Sequence, residues 1–589
     1  MGQGAAALRI ACGACALWCG QAGAYAVGGA GIEGSFDTTL TQASLVRVER
    51  RDPGLIGIAN GGTARNVNED DGDLNYNRGD VVSSLLRVGE EVELRYRNLA
   101  FFARGSYFYD AQAARNGDKF GPEGRARLKD RAQLLDLFVS GNFDLGAHHL
   151  NLRLGSQVMN WGESTFIAGG LSLINPVDVG MLRQPGSQVK DALLPTPALQ
   201  ASLDLTSGLS LSGFALAAFN RTVLDPRGAY FSTTDIASDD GERLILASGR
   251  RSDGHRPPIG AADASVSIGR NGDRRPQGFG QYGVALREIA PALGDTELGL
   301  YYLRYDSHAP LLSMRKQDGA MPGSGSSAGD GSAHYFLEYP SRIDIFGASF
   351  NTLLPYGIAL QGEYSFRPNL PVQLPGTDLV LSALGLPSEV APAPATIATG
   401  TEIQGYRRVG AHQLQFTATR TFAQPGLGAS ELLLTTEVGA NELDLPDTLK
   451  FAGPGVSLPS RPQEAVYANG SYQHTGFTTD FSWGYRMAGE LRYPGLAGAL
   501  TFTPRLVYSD DVQGVGPNFN QGTQAVALNL GFDYLVSWHA EAGYTSFFGG
   551  RNYSGTDTTA VPGQPLSYST SANPLRDRDF VTLSFSYSF

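Results

Sequence analysis

Cysteine is scarce in this chain, and its few copies are confined to one end. The 589-residue sequence has three cysteines, Cys12, Cys15 and Cys19. They lie in an apolar stretch that follows Arg9, the only charge among the first 26 residues, and precedes an A-x-A cleavage pattern at residues 24–26. We therefore expect residues 1–26 to be a removable secretion signal. The remaining chain would have no cysteine, which excludes a disulfide framework.

Long apolar runs and an excess of positive charge are also missing. Outside the signal, no stretch has the roughly 18 consecutive apolar residues that a transmembrane helix needs, so insertion by helices is excluded. The chain has 45 Lys and Arg against 57 Asp and Glu, a formal charge of −12, and loss of Arg9 makes it −13. An acidic chain of this kind lacks the basic footprint of a nucleic-acid-binding protein.

What the chain does have is alternation of apolar and polar residues. In the last segment, residues 579–589, five apolar side chains share one face of an extended strand and Thr and Ser occupy the other: Val581, Leu583, Phe585, Tyr587 and Phe589 form the apolar set. The same pattern recurs at 526–534 and 538–545. Charged residues in these segments, such as Asp533 and Glu541, fall in the polar set. A Lys or Arg on a lipid-facing side would cost about 2–4 kcal/mol at mid-membrane.

This pattern predicts an all-β fold, a transmembrane antiparallel β-barrel of the bacterial outer membrane. A soluble β-sandwich would show the same alternation. Repetition over most of the chain, together with the secretion signal and the terminal aromatic residue, favours the barrel. We expect about 14–18 strands, long extracellular loops and plug segments. Residues 27–80 would form an N-terminal strand or plug, and residues 81–589 the barrel.

Candidate strands can be placed along the whole chain. The first is the least secure, and if it is a plug, a long loop must contain another strand, because barrels of this kind have even strand numbers. The candidates are 33–50, 84–98, 99–109, 133–145, 148–158, 196–206, 209–220, 278–290, 295–307, 341–354, 357–367, 410–421, 430–441, 479–491, 499–509, 524–534, 537–548 and 579–589.

Several motifs allow a family comparison. They are Val158-Met-Asn-Trp-Gly-Glu-Ser-Thr-Phe-Ile167, 174–178, 184–186, the Asp/Asn-rich segment 68–79, 362–371, and 577–580 before the final strand. Together they resemble a proteobacterial outer-membrane family known as domain of unknown function thirteen-oh-two, over essentially the whole mature chain. The resemblance implies an outer-membrane protein associated with systems for hydrophobic compounds, including lipids, steroids and hydrocarbons, and with exporters of the resistance-nodulation-division type.

The segment that begins with Trp161-Gly162-Glu163 ends a strand and continues with three prolines, so it cannot be a continuous ladder. We expect it to fold into the barrel mouth as a constriction; the alternative is a structural cap held by Trp161. Candidate residues of the lumen and constriction are Trp161, Glu163, Asn175, Asp178, Lys190, Arg153, Glu363, Arg367, Arg486, Arg505, Asp533 and Glu541. By their likeness to the C-terminal insertion signal of outer-membrane proteins, Phe585, Tyr587 and Phe589 are the expected signal for barrel insertion.

Catalytic and metal-binding motifs are weak. Gly325-Ser-Ser-Ala-Gly329 matches G-x-S-x-G, but it lies in a Gly/Ser-rich loop rather than a strand-turn-helix elbow. The eight histidines have no zinc spacing. The acidic run that starts at Glu69 offers oxygen ligands for calcium, but it lacks EF-hand spacing because Tyr76 stands where Gly is required. We read that run as a turn or plug, and we expect no enzyme activity, metal or cofactor.

The sequence therefore favours an outer-membrane channel or transporter of a Gram-negative bacterium for hydrophobic or amphipathic small molecules. The apolar segment 370–386 and the Trp161 segment would gate it. The alternatives are a sealed structural barrel that docks a periplasmic partner or exporter, and a general porin. Expected partners are outer-membrane lipid and lipopolysaccharide, the barrel-assembly machinery, and a periplasmic carrier or exporter, with no nucleic acid.

Overall fold

A closed barrel of eighteen antiparallel strands forms the framework of the described chain. The computed structural model describes residues 25–29, 31–246, 248–254, 267–317, 333–393, 396–462, 472–557 and 566–589. The barrel strands are β1 (Ile32–Arg47), β2 (Val81–Tyr96), β3 (Leu99–Asp110), β4 (Asp130–Leu145), β5 (His148–Gln157), β6 (Thr196–Asp204), β7 (Leu209–Leu216), β8 (Tyr282–Ala290), β9 (Thr296–Tyr305), β10 (Ile343–Leu354), β11 (Ile358–Gln373), β12 (Tyr406–Ala423), β13 (Glu431–Leu443), β14 (Phe481–Ala497), β15 (Leu500–Gln513), β16 (Thr523–Tyr534), β17 (Trp538–Gly549) and β18 (Phe580–Ser588).

The first and last strands close the barrel. Residues Thr39–Arg47 of β1 pair with Phe580–Ser588 of β18, and the other edge of β1 pairs with β2. The Thr41 and Ser586 hydroxyls are hydrogen-bonded at 2.9 Å across the closing seam. A short strand, Tyr25–Gly29, pairs with the start of β1. Residues 32–47 thus lie in the barrel wall and 48–80 form a loop, while cleavage after residue 26 stays a prediction.

The connections differ in length at the two ends of the barrel. At one end, eight turns contain between two residues (97–98) and seven residues (424–430). At the other end lie nine longer loops: 48–80, 111–129, 158–195, 217–281, 306–342, 374–405, 444–480, 514–522 and 550–579. Outer-membrane barrels have short periplasmic turns and long extracellular loops, so the nine loops are external. We number them as the first to ninth external loops.

The two faces of the wall differ as the alternation predicts. Leu154, Leu300 and Leu583 point outward with 60–65% of their surface exposed, whereas Gln413 and Gln415 of β12 are buried inside. The outer face of the wall also has charged residues. Glu90 lies at an outward position, where it accepts a 2.8 Å hydrogen bond from the Thr38 hydroxyl, which provides it with a polar partner there.

The external loops carry their own small structures. Five short strands form a second sheet: Arg243–Ile245, Ser267–Arg270, Leu311–Arg315, His334–Glu338 and Glu402–Ile403. The helix Gly376–Ala383, within the apolar segment predicted as a gate, packs against this sheet through Leu379 and Ala383, both fully buried. Asn552–Asp557 and Leu566–Ser571 form a hairpin.

The helices are short and lie outside the wall strands. The α-helices besides Gly376–Ala383 are Asp71–Leu74, Ala111–Arg115, Pro122–Lys129, Val179–Arg183 and Val189–Ala192, and the 3₁₀ turns are Pro53–Leu55, Ile58–Asn60, Gly117–Lys119, Gly170–Ile174, Pro291–Leu293 and Pro355–Gly357. No helix in the described part of the chain is long and apolar enough to cross a membrane.

Candidate functional site

The third external loop, residues 158–195, folds into the barrel and contacts opposite parts of its inner wall. Its first half binds side chains of β11, β12 and β13, and its second half binds side chains of β2 and β4. The loop therefore crosses the lumen. The Trp161 segment, which the sequence predicts to be either a constriction or a structural cap, is the start of this loop.

Two buried carboxylates hold the first half of the loop. Glu363 of β11 accepts hydrogen bonds from the backbone N–H groups of Glu163 (2.6 Å) and Leu171 (3.1 Å). Glu437 of β13 accepts from the backbone N–H groups of residues 165, 166 and 167 at 2.9, 2.6 and 2.7 Å. Hydrogen bonds to ionised acceptors are stronger than neutral ones. Five N–H groups of an irregular segment are thereby satisfied by the wall.

Two glycines permit this close approach. Gly162 and Gly170 have φ of +94° and +61°, in the left-handed region that favours glycine. A Cβ atom at either position would also collide with the carboxylate of Glu363. Both the backbone conformation and the space beside Glu363 therefore require glycine.

Trp161 and Asn175 shape the same half of the loop. Trp161 is 2% exposed, and its ring lies 4.7 Å from the ring of Phe214 and 5.8 Å from that of Tyr301, centroid to centroid. The Asn175 side chain accepts from the backbone N–H of Met159 at 2.8 Å and donates to its carbonyl oxygen. Trp161 thus packs the loop against β7 and β9, and Asn175 ties the loop to itself. Glu163 accepts a weak hydrogen bond from Asn351 at 3.3 Å.

Asp178 fixes the second half. Its carboxylate accepts from the backbone N–H of Met181, at the start of the helix Val179–Arg183, and forms an ion pair with Arg131 of β4 at 2.7 Å. Only 2% of the Asp178 side chain is exposed. A buried, paired carboxylate at a helix N-terminus favours one position of the helix.

The end of the loop is held by wall cations and by its own lysine. Arg87 of β2 donates to Gln184, to Ser187 at 2.5 Å and to Asp191 at 3.3 Å. Lys190 pairs with Glu91 of β2 at 2.5 Å. Four of the predicted constriction residues, Asn175, Asp178, Lys190 and Trp161, are thus held in internal contacts of the loop and wall.

The remaining predicted lumen residues lie elsewhere on the wall. Arg153 stacks over Phe138 at 4.5 Å, Arg367 donates to Gln413 at 2.9 Å, and Arg486 pairs with Asp511 at 2.6 Å. Arg505, Asp533 and Glu541 belong to β15, β16 and β17. The structure does not bring these three into contact with the third loop.

The charges of β15–β17 identify the open side of the lumen. Arg505 is exposed although it points inward. Asp533 binds His539 at 2.7 Å, and both side chains are 44% exposed. Charged side chains that point inward and are exposed to water show that the space they line is filled with solvent. The lumen is therefore closed by the third loop against β2–β4 and β11–β13 and lined by exposed charges along β15–β17.

An apolar cavity of about 100 Å³ lies beside the second half of the third loop. Its walls come from β1–β4 and from four external loops. The larger apolar lining residues are Leu45, Tyr76, Val82, Phe108, Phe120, Leu128, Met181, Tyr230 and Phe231. The rings of Tyr76 and Tyr230 meet edge to face at 5.5 Å.

Polar groups lie at one side of this cavity. Asp178 with Arg131, and Asp225 with Arg183 at 3.0 Å, are two ion pairs in its lining. Burial raises the pKa of the Asp225 carboxyl, and Arg183 opposes that rise. An apolar enclosure with a few convergent polar groups is the usual form of a small-molecule site. Sequence reasoning named Asp178 but missed the aromatic lining, because Tyr76, Phe120 and Tyr230 come from three different loops.

A closed barrel with an apolar exterior, a polar interior and long loops at one end is a transmembrane β-barrel of the Gram-negative outer membrane. The chain belongs to the family described as "Protein of unknown function (DUF1302)", whose model matches residues 5–589. The family resemblance seen in the motifs is thus confirmed.

Comparison with solved structures gives outer-membrane proteins. OccAB1 of Acinetobacter baumannii is 10% identical with a TM-score of 0.41, over 94% of this chain and 96% of that one. A BenF-like porin of Pseudomonas fluorescens Pf-5 is 10% identical with a TM-score of 0.39, over 94% and 98%. OpdK of Pseudomonas aeruginosa, solved with vanillate, is 11% identical with a TM-score of 0.39, over 94% and 98%. No curated protein sequence matches the chain.

Proposed function

We propose that the protein is an outer-membrane channel that carries a small amphipathic molecule, with an apolar body and a polar group, across the membrane. The observation that carries this proposal is the apolar cavity beside the loop that crosses the lumen. Met181 lines the cavity and belongs to that loop. A molecule in the cavity therefore lies against the constriction itself.

The chemistry of the lining selects the substrate class. Aromatic and aliphatic side chains would bury an apolar body, at about 25 cal/mol for each Å² removed from water. The ion pairs Arg131–Asp178 and Arg183–Asp225 offer both signs of charge to a polar group at one side. A sugar would leave most of its hydroxyls without partners among these apolar walls.

Two alternatives predict different behaviour. A general porin would conduct ions steadily through the open side lined by Arg505, Asp533 and Glu541. A sealed barrel that docks a periplasmic partner would conduct nothing. The exposed inward charges favour a water-filled path over a sealed barrel, and the apolar cavity favours a selective path over a general one.

Ligand extraction with a cavity-filling variant tests the substrate class. Barrel purified from its native outer membrane is extracted, and small molecules are identified by mass spectrometry against an unrelated porin. We expect an amphipathic compound enriched with the wild type and depleted with Met181→Trp, because the larger ring occupies the cavity. Met487→Trp, which places the same ring on the outer face of β14, is the matched control.

The outcome is decisive in either direction. Retention of the compound by Met181→Trp would move the binding site away from this cavity. An extract that contains the same compounds as the unrelated porin would contradict the proposed substrate class.

A further inference from the structure

Four aspartates from two external loops converge at a buried point outside the cavity. Asp70 and Asp71 belong to the first external loop, and Asp235 and Asp253 to the fourth. One carboxylate oxygen from each lies within 4.8 Å of those of the others. The four side chains are between 0% and 4% exposed.

Neighbouring groups donate hydrogen bonds to three of the four carboxylates. Asp70 accepts from the Gly57 backbone N–H at 2.7 Å and from the Asn60 amide at 3.0 Å. Arg227 donates to Asp71 at 2.5 Å and to Asp253 at 3.1 Å. One guanidinium is thus shared by two of the carboxylates.

Asp235 is the exception. Both of its carboxylate oxygens are buried, and neither has a hydrogen-bond partner in the described structure; one oxygen of Asp71 is in the same state. An ionised carboxylate is an acceptor only, and burying it without a partner is costly. Since one oxygen of Asp235 lies within 4.8 Å of an oxygen of each of the other three carboxylates, a cation between them is the arrangement that would satisfy it.

The electrostatics agree with this geometry. Burial, and then the neighbouring carboxylates, raise the pKa of Asp70 and Asp71 well above the usual range for aspartate, and burial does the same for Asp235. A site of this kind either takes up protons or binds a cation. A divalent cation supplies more charge to four carboxylates than Arg227 can.

We propose that Asp70, Asp71, Asp235 and Asp253 bind a calcium ion that links the first external loop to the fourth. The donors are all oxygens, which suits calcium or magnesium rather than zinc. Calcium accepts six to eight oxygens in flexible geometry, whereas magnesium requires near-ideal octahedral geometry and usually keeps several waters. A crowded set of side-chain carboxylates fits calcium better.

The position of the site gives it a consequence. Tyr76 follows Asp71 closely in the first loop, and Tyr230 precedes Asp235 in the fourth; both rings line the apolar cavity. Calcium at the aspartates would therefore fix the two loops that form the aromatic wall. The inference does not require that the cavity bind a substrate.

Calorimetry on the full-length barrel tests the proposal. Protein freed of lipopolysaccharide and stripped with EGTA is titrated with CaCl₂. We expect one ion per chain, with a dissociation constant at or below about 10⁻³ M as for other extracellular calcium sites, and at least tenfold weaker binding of MgCl₂. Asp235→Asn should weaken calcium at least tenfold. Glu123→Gln removes an exposed carboxylate of the second external loop, outside the cluster, and should change affinity less than twofold.

Absence of calcium binding to the wild type, magnesium binding as tight as calcium, or equal affinity of Asp235→Asn and wild type would each overturn the proposal. Hydrogen exchange on the wild type provides a second test that needs no variant. EGTA should increase amide exchange in residues 66–76 and 227–240 and leave the β14–β17 amides unchanged. Equal exchange of both loops with calcium and with EGTA would also overturn it.

Discussion

Removal of the Glu437 carboxylate should release the first half of the third external loop. Glu437 is fully buried and accepts three backbone N–H groups, those of Thr165, Phe166 and Ile167. In Glu437→Ala these donors lose their acceptor. At about 1–2 kcal/mol for each lost hydrogen bond to this carboxylate, the docked loop loses about 3–6 kcal/mol.

A loss of this size shifts the equilibrium between the docked and the released loop strongly. It corresponds to a change of about 10² to 10⁴-fold in the ratio of docked to released loop, at 1.4 kcal/mol for each factor of ten. Glu437→Gln keeps one carbonyl oxygen as acceptor, so it should lose only part of this energy. The two variants therefore give a graded series.

Hydrogen exchange and single-channel recording measure the effect. Amides of residues 163–171 should exchange faster in Glu437→Ala than in Glu437→Gln, and faster in both than in the wild type. The single-channel current in a planar bilayer should become larger or fluctuate as the loop leaves its position. Glu541→Ala removes an inward carboxylate of β17 that the loop does not touch, and it should leave the exchange of 163–171 unchanged. This account of the constriction would be refuted if residues 163–171 exchanged at the same rate in Glu437→Ala as in the wild type. It would also be refuted if Glu541→Ala changed that rate as much as Glu437→Ala does.

Three further predictions concern the same loops. Gly170→Ala should also release the loop, because its Cβ would overlap Glu363 and its φ is +61°; exchange of residues 163–171 should rise, and wild-type exchange would contradict the steric argument. Asp577→Asn should destabilise the contact between the ninth and first external loops by about 1–3 kcal/mol, because it removes the charge that pairs at 2.9 Å with the buried Arg47 of β1 and weakens the acceptor of the Asp52 backbone N–H, while Arg47 keeps Asp73 as a partner at 3.4 Å; proteolysis of residues 48–60 should accelerate, and an unchanged rate would count against it. Burial lowers the pKa of His308, so the folded protein favours the neutral ring, and the stability that this gives is present above the unfolded-state pKa of about 6.5 and is lost as the pH falls below 6.5. Amide exchange at residues 306–309 should therefore rise from pH 7.5 to pH 5 in the wild type but not in His308→Gln. The same pH dependence in both proteins would exclude His308 as the cause.

Much of the barrel could be read from the sequence because strand alternation is local. Each of the eighteen candidate segments overlaps one barrel strand, including the insecure first candidate, which is β1. The boundaries were less accurate. The candidate 357–367 stopped before Pro368, whereas β11 continues to Gln373 through a register shift between Arg367 and Leu370. Pro368 is accommodated at that irregularity, which no local pattern reveals.

The candidate site was predictable only in part. Alternation identified Glu363 as inward and the prolines indicated an irregular loop after Trp161, but neither shows that the loop donates to Glu363. Glu437 was missed, although its position in the alternating run 430–441 makes it inward. The acidic run at residues 69–73 was interpreted as a turn or plug, and its convergence with Asp235 and Asp253 was missed, because these two aspartates come from a loop more than 150 residues away. Contacts between distant loops depend on closure of the barrel, and local sequence does not encode them.

The central claim is that an amphipathic molecule passes the constriction beside Met181, and flux from proteoliposomes tests it most directly. Naphthalenesulfonate is a suitable probe, because it is aromatic and its permanent charge prevents free passage through lipid; glucose is the polar comparison. The account predicts that wild-type protein releases naphthalenesulfonate faster than glucose, and that Met181→Trp abolishes the difference while Met487→Trp preserves it. Release no faster than from protein-free liposomes would contradict a channel, and equal release of both solutes, unaffected by Met181→Trp, would contradict the selective path.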